Sequence, residues 1–411
     1  EALDANTDGH DSVAIGKGAL SAFTGSGAAG GSIAVGRDAL LALTTGESHT
    51  AIGEQASYTI TTGNNCVAVG KEALKLNTAS DNTAVGHLTL TANSSGASNV
   101  AVGRNALGAN TTGASNVAVG YGALDANTTA DENTAIGYNA LGANSTGPYN
   151  TSVGSNALTT NTTGGRNNAL GFKALEMNTT GAYNVAVGNE ALEANTTASN
   201  NTAIGHEALT VNTTGTDNTA VGAYALDANT TAANNTAVGK NALGSNTTGS
   251  ENTGLGDRAG INNTTAARIT AVGHYALASN TTGDNNVAGG ANSLDANTSG
   301  TNNTAVGTFS LTDNTTANNN TAFGYAALGA NTTGADNVAI GANALDTNLT
   351  GNNNTAIGYL SLDKTTEDEN VAVGNYTLRE NTTGEYNTAT GYQALTKNTT
   401  ADDNTAFGYK A

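Results

Sequence analysis

Asn116-Val117-Ala118-Val119-Gly120 returns seventeen residues later as Asn133-Thr134-Ala135-Ile136-Gly137, and after seventeen more as Asn150-Thr151-Ser152-Val153-Gly154. The closing glycine of this motif recurs from Gly16 to Gly408 in twenty-four copies with almost no slippage. A period this short cannot be a domain. It is one coil of a stacked array. Disorder is excluded by the register, because a disordered tract needs no fixed spacing of Val, Leu and Gly. We read residues 1–411 as a single continuous β-solenoid array without a linker. It opens and closes in mid-repeat, as an excerpt of a longer fibre protein would.

Positions are counted from the motif glycine as zero. Position −1 is Val, Ile, Leu or Phe in nearly every coil, −2 is Ala in twenty-two, and −4 is Asn in nineteen. Position −3 is mostly Thr or Val, +4 is almost always Leu with Ala before it, and +7 is generally Asn followed by Thr-Thr. The Thr-Ala-Val run alternates with period two, as a strand does. The spacing predicts a second strand around the Ala-Leu pair, with turns at the glycine and at Asn-Thr-Thr-Gly. Ala occupies +10 in several coils, so that turn does not demand a positive φ. Seventeen residues are too few for a helix, a strand and two connections. The fold class is therefore all-β, a parallel β-solenoid (β-roll) of about 24 coils, each position repeating as a column at about 4.8 Å. Burying three apolar side chains yields roughly 5 to 9 kcal/mol. Fixing one coil's backbone costs roughly 17 to 34 kcal/mol, so a coil holds only between neighbours. Asn over Asn at −4 and +7 predicts amide ladders.

The composition narrows the partners. Charged residues are 11% and aromatic residues 4%, which suits a core one coil wide. A net charge of −19 and a pI near 4.4 repel phosphates and anionic lipid heads, so nucleic acid and membrane insertion are set aside. No stretch approaches the ~20 apolar residues of a membrane span. Cys66 is the lone cysteine and reads as a small residue in an Asn slot.

Parity decides which face is sticky. With −3 and −1 facing inward, the Ala column faces outward: Ala101, Ala118, Ala135, Ala186, Ala203, Ala220 and Ala237. A flat, uncharged row of methyl groups predicts an oligomer packed through those alanines. The competing parity puts Ala inside and Thr/Val outside.

Asn99 to Gly103 and Asn116 to Gly120 (both Asn-Val-Ala-Val-Gly) and Ser12 to Gly16 (Ser-Val-Ala-Ile-Gly) resemble the YadA-like head repeats of trimeric autotransporter adhesins. The fuller unit Asn133 to Gly147 is similar to repeat arrays of phage tail fibres and bacterial surface fibres. The resemblance spans essentially the whole chain. It implies a parallel β-roll, three chains side by side as a homotrimer, and an extracellular shaft or adhesive head on a cell surface or a virion tail fibre. The partners it implies are the chain itself and host or surface glycans.

Chemistry finds little to hold. His87, His206 and His274 share +1 but lie many coils apart, so they cannot bind one metal and read as exposed turn residues. Acidic groups cluster before the strand (Asp131-Glu132, Glu367-Asp368-Glu369, Asp402-Asp403). They read as solvation in preference to a calcium turn. No catalytic, cofactor or metal residues are expected. Asn110, Asn127, Asn161, Asn178, Asn195, Asn212, Asn229 and Asn246 satisfy Asn-x-Ser/Thr, as do five later Asn at +7, and are glycosylation candidates. The competing reading is turn chemistry.

The sequence therefore predicts a non-enzymatic structural or adhesive fibre, with any specific binding at a tip or in off-pattern coils. The long coil with its Ala28-Ala29-Gly30-Gly31 insert is one such coil; Arg258 to Ile269, where Gly260 replaces Leu and Ile269 replaces Asn, is another. The alternative is an ice-binding solenoid with Thr columns at −3, +8 and +9. A carbohydrate-processing solenoid would need paired carboxylates from neighbouring coils, and no column supplies them.

Overall fold

The computed structural model describes residues 1–5, 10–24 and 30–411. Ala28 and Ala29 of the long coil lie outside the described residues. The chain is an all-β parallel β-solenoid with one three-residue strand per coil, twenty-four among the described residues. No helix occurs among the described residues, and so none that could cross a membrane.

Two units are described separately, residues 1–201 and 202–411. The first carries β1 (Val13–Ile15) to β11 (Val185–Val187), and the second β12 (Thr202–Ile204) to β24 (Thr405–Phe407). Within each unit a strand pairs in parallel with that of the next coil, like residue on like residue. Val100, Ala101 and Val102 face Val117, Ala118 and Val119 in the first unit. Thr219, Ala220 and Val221 face Thr236, Ala237 and Val238 in the second. Stacking thus turns each repeat position into a column.

The corner glycine makes the stack possible. Gly171 has φ of +140°, a conformation L side chains rarely adopt, and a Cβ there would lie 2.4 Å from the carbonyl oxygen of Gly188. The same column-on-column approach recurs at Gly222 against Gly239.

The second half of the coil departs from expectation. The Ala-Leu segment is a run of turns, not a strand. Positions +2 and +4 are left-handed, as in Asn105 (φ 57°) and Leu107 (φ 52°), which breaks extended geometry. Coil-to-coil bonding survives: Leu107 N–H donates to Ala123 O at 3.0 Å and Ala109 N–H to Asp125 O at 2.9 Å. A left-handed Leu costs about 1–2 kcal/mol. Full burial of its side chain returns roughly 1.5–3 kcal/mol, so the strained position is offset by what it inserts. Leu107, Leu124, Leu243 and Leu277 are all 0% exposed.

The interior has two halves. Ala at −2, Ala at +3 and Leu at +4 form the apolar half. Asn at −4 and Asn at +7 form the polar half, both fully buried in most coils. In the first coils the polar half is replaced: Phe23, Leu43 and Ile60 occupy +7 and are fully buried.

Candidate functional site: the strand face and the turn columns

The parity expectation is overturned. Ala101, Ala118, Ala135, Ala186, Ala203, Ala220 and Ala237 are all 0% exposed and point into the coil. They cannot form an interface. The cause is the thinness of the coil. Opposite the strand lies the Ala-Leu segment, which leaves room for a methyl group and little else. At Gly254 a Cβ would already meet Leu243 Cγ at 2.9 Å and Ala259 O at 3.2 Å. Ser152, the other exception, fits because its hydroxyl donates to Ala157 O at 2.8 Å. The restriction of −2 to Ala, Ser and Gly is a size limit. This restriction, more than the absence of charge, is the mark of the inward face in the sequence.

The outward residues of the strand are those at −3 and −1. In the first unit Val102 and Ile136 are 38% and 40% exposed. Ile204, Leu255 and Phe323 in the second unit are exposed to a similar degree. No coil places a charged residue at either position. Thr fills −3 in five successive coils, Thr202, Thr219, Thr236, Thr253 and Thr270, beside an aliphatic −1 column.

The amide ladders form, and in forming they remove the eight numbered glycosylation candidates. Asn110 Nδ2 donates to Asn93 Oδ1 at 2.8 Å and to Gly113 O at 2.9 Å. Asn229 Nδ2 does the same with Asn212 Oδ1 and Ala232 O. Asn110, Asn127, Asn161, Asn178, Asn195, Asn212, Asn229 and Asn246 are each 0% exposed. A buried amide nitrogen that already donates twice has no place for a sugar. The turn-chemistry reading accounts for these sequons. The −4 ladder runs beside them: Asn99 Oδ1 accepts from the Asn116 backbone N–H at 2.9 Å, and Asn99 Nδ2 donates to Gly113 O at 2.9 Å. Gly113 O therefore accepts from both ladders.

Thr at +8 also has a structural task. Thr111 Oγ1 donates to Thr128 O at 2.8 Å, and Thr264 Oγ1 to Thr281 O at 2.9 Å. The acidic turns do likewise: Asp131 Oδ1 accepts from Ala114 N–H at 2.7 Å and Asp284 Oδ1 from Ala267 N–H at 2.8 Å. Among the described residues no three His, Cys, Asp or Glu side chains are grouped to hold a metal ion.

His87, His206 and His274 are exposed, as expected. His49 is not like them. It occupies an Asn slot at −4, 1% exposed, with Nε2 2.7 Å from Gly63 O and Nδ1 accepting from Cys66 N–H at 3.3 Å. Burial holds its pKa below the ordinary 6.5, against the opposing pull of these backbone bonds. Cys66, in the next coil's Asn slot, is also buried, and burial pushes its thiol pKa up. It behaves as the small filler its position predicted.

The off-pattern coil from Arg258 to Ile269 is repacked, not opened. Gly260 replaces Leu at +4, and a Cβ there would lie 2.8 Å from Leu243 Cδ2 and 3.6 Å from Ile269 Cδ1. Ile269, fully buried, takes volume from the Asn slot into the apolar half. Aromatic side chains decorate the corners. Arg166 lies between Tyr149 and Tyr183, 5.0 and 5.5 Å from their ring centres. Tyr359, Tyr376, Tyr392 and Tyr409 form a chain of ring contacts at 5.4 to 6.0 Å. These contacts are confined to a few coils each and carry no repeat signature.

No family model matches the chain, and no curated protein matches it.

Proposed function

We propose that this chain is a non-enzymatic structural segment of an extracellular fibre, in which copies associate side by side through the strand face. The observation that carries the reading is the −3/−1 surface: free of charge in every coil, with an apolar side chain at −1 in nearly all of them and Thr or Val at most −3 positions. Extended apolar surfaces of this kind are uncommon on proteins that stay alone. A parallel sheet, moreover, ordinarily has both faces covered. Three copies around a common axis is the arrangement that the resemblance to trimeric adhesin heads implies. Attachment to a cell surface or a virion, and an adhesive role toward surface glycans, belong to the same reading. Light scattering tests it. A solution mass near three times that of one chain is expected, and replacing Val119, Val187 and Val221 by Lys should release single chains. One chain at every concentration would remove the reading.

Ice binding is the second reading. The parity that buries Ala also turns the five-coil Thr run from Thr202 to Thr270 outward, beside an aliphatic column on one flat face. Freezing-point hysteresis in the unmodified chain, lost on replacing Thr219 and Thr236 by Lys, would favour it over the fibre.

A further inference from the structure

Position +9, the second Thr of Asn-Thr-Thr, has no task in the fold. In all twenty described coils that possess the position, it is Thr or Ser and it is exposed. Examples are Thr112, Thr129 and Thr163 in the first unit and Thr214, Thr248 and Thr333 in the second. Among the described residues none of these hydroxyls makes a hydrogen bond to the rest of the chain. The contrast with +8 is direct, since that hydroxyl donates to the next coil's carbonyl. The backbone N–H at +9 bonds to the next coil, as Thr112 does to Thr128 O at 3.1 Å, but any residue except Pro offers that.

Two further facts narrow the cause. The coils from Gly70 to Gly86 and from Gly358 to Gly374 lack the position, and the coil still closes: Thr78 N–H reaches Ser94 O at 3.0 Å. Ser95 and Ser299 stand where Thr usually does. Ser shares with Thr the hydroxyl but not β-branching, so shape and strand propensity do not explain the column. Exposed neighbours drift freely: +12 runs through Ser115, Glu132, Tyr149, Arg166 and Tyr183 in consecutive coils. An exposed position that keeps one functional group while its neighbours vary is used for that group's chemistry.

We infer that the +9 column is a row of O-glycosylation sites. The hydroxyl Oγ attacks the anomeric carbon of a nucleoside-diphosphate sugar. The bond from that carbon to the diphosphate oxygen breaks, its electron pair leaves with the diphosphate, and the hydroxyl proton passes to a base of the transferase. Each site takes a monosaccharide, because coils about 4.8 Å apart leave no room for neighbouring branched chains. The modification falls on the folded coil, where Asn at +7 is sealed and Thr at +8 is engaged. This goes beyond the fibre reading and does not depend on the number of chains.

Peptide mapping of the protein from the cells that make it, with fragmentation that preserves glycosidic bonds, tests the inference. Sugar is expected on Thr112, Thr129, Thr163, Thr214 and Thr248, with Thr111, Thr128 and Thr162 bare. Bare hydroxyls throughout would overturn it, as would equal labelling of +8 and +9 or sugar on Asn at +7. Unglycosylated T112A/T129A/T163A chain should melt within a degree or so of the unsubstituted chain. A marked drop would give the hydroxyls a structural role and equally overturn it. Bare hydroxyls with freezing-point hysteresis lost in that variant would replace sugar by ordered water.

Discussion

Asn161 Nδ2 lies 2.8 Å from Asn144 Oδ1 in the preceding coil, while Asn161 Oδ1 accepts from Asn178 Nδ2 of the following coil, also at 2.8 Å. Each amide therefore ties three coils together, and the same side chain closes its own turn on Gly164 O at 2.9 Å. Half of the interior of this solenoid is held by directional bonds in place of apolar contact. Every group in such a row depends on its neighbours for satisfaction.

Replacing Asn161 by Ala should destabilise the first unit strongly. It strands Asn144 Oδ1 and one of the two N–H groups of Asn178 Nδ2, whose other N–H keeps Gly181 O, at about 1–3 kcal/mol for each group left unpaired. Gly164 O keeps Asn150 Nδ2 as a donor and is spared. Thr163→Ala, two residues away and exposed, is the control and should change stability by less than about 0.5 kcal/mol. Denaturant unfolding followed by circular dichroism measures both.

Parity is tested by a pair of adjacent substitutions. Ala186→Leu forces a large side chain into the space above the Ala-Leu segment and should cost about 1–3 kcal/mol or more. Val187→Lys places its charge in solvent, and thermal melts of single chains should register little change. The Lys variant should instead lose self-association in light scattering. A tolerated Ala186→Leu would contradict the inward placement of the alanine column.

Gly171→Ala should break the stack locally. It combines an unfavourable φ of +140° with a Cβ 2.4 Å from the backbone oxygen of Gly188, which no side-chain rotation relieves. A cost above about 3 kcal/mol is expected from strain and overlap together. Hydrogen exchange should locate the loss of protection in the two coils that meet there.

Acid should weaken the coils around His49. Its folded pKa lies below 6.5, so the unfolded chain binds the proton more readily, and stability rises with pH across that window. The stability is intact above about pH 6.5 and is lost as pH falls toward the depressed folded value. Protonation would place an N–H on Nδ1 facing the Cys66 N–H, donor against donor. The groups bonded to it are Ser32 Oγ, Gly63 O and the Cys66 backbone N–H, none carrying a negative charge. His49→Asn, the usual occupant of the column, should flatten the dependence in a pH series of melts.

Much of the site was legible residue by residue. The corner glycines, the buried Leu at +4, the Asn ladders, the Cys66 slot and the exposed +1 histidines all sit where their spacing placed them. The second strand was not legible, because left-handed φ at Leu107 and Asn105 is an unusual state for such residues and leaves no mark in a periodic pattern. The Asn-x-Thr sequons misled for a related reason. A triplet reports side-chain identity, whereas accessibility depends on which way the turn folds its amide.

The period, the stacking of like on like and the one-coil width of the core were determined by sequence alone. They follow from spacing, and a strict seventeen-residue register leaves no other way to bury Leu and Ala in a chain so poor in large apolar groups. Which face of each strand turns inward was decided only in three dimensions. Alternation says that two faces differ. It is the gap left between the strand and the Leu-bearing turn, wide enough for a methyl group and too narrow for Val, that sends Ala inside and leaves the β-branched residues facing out.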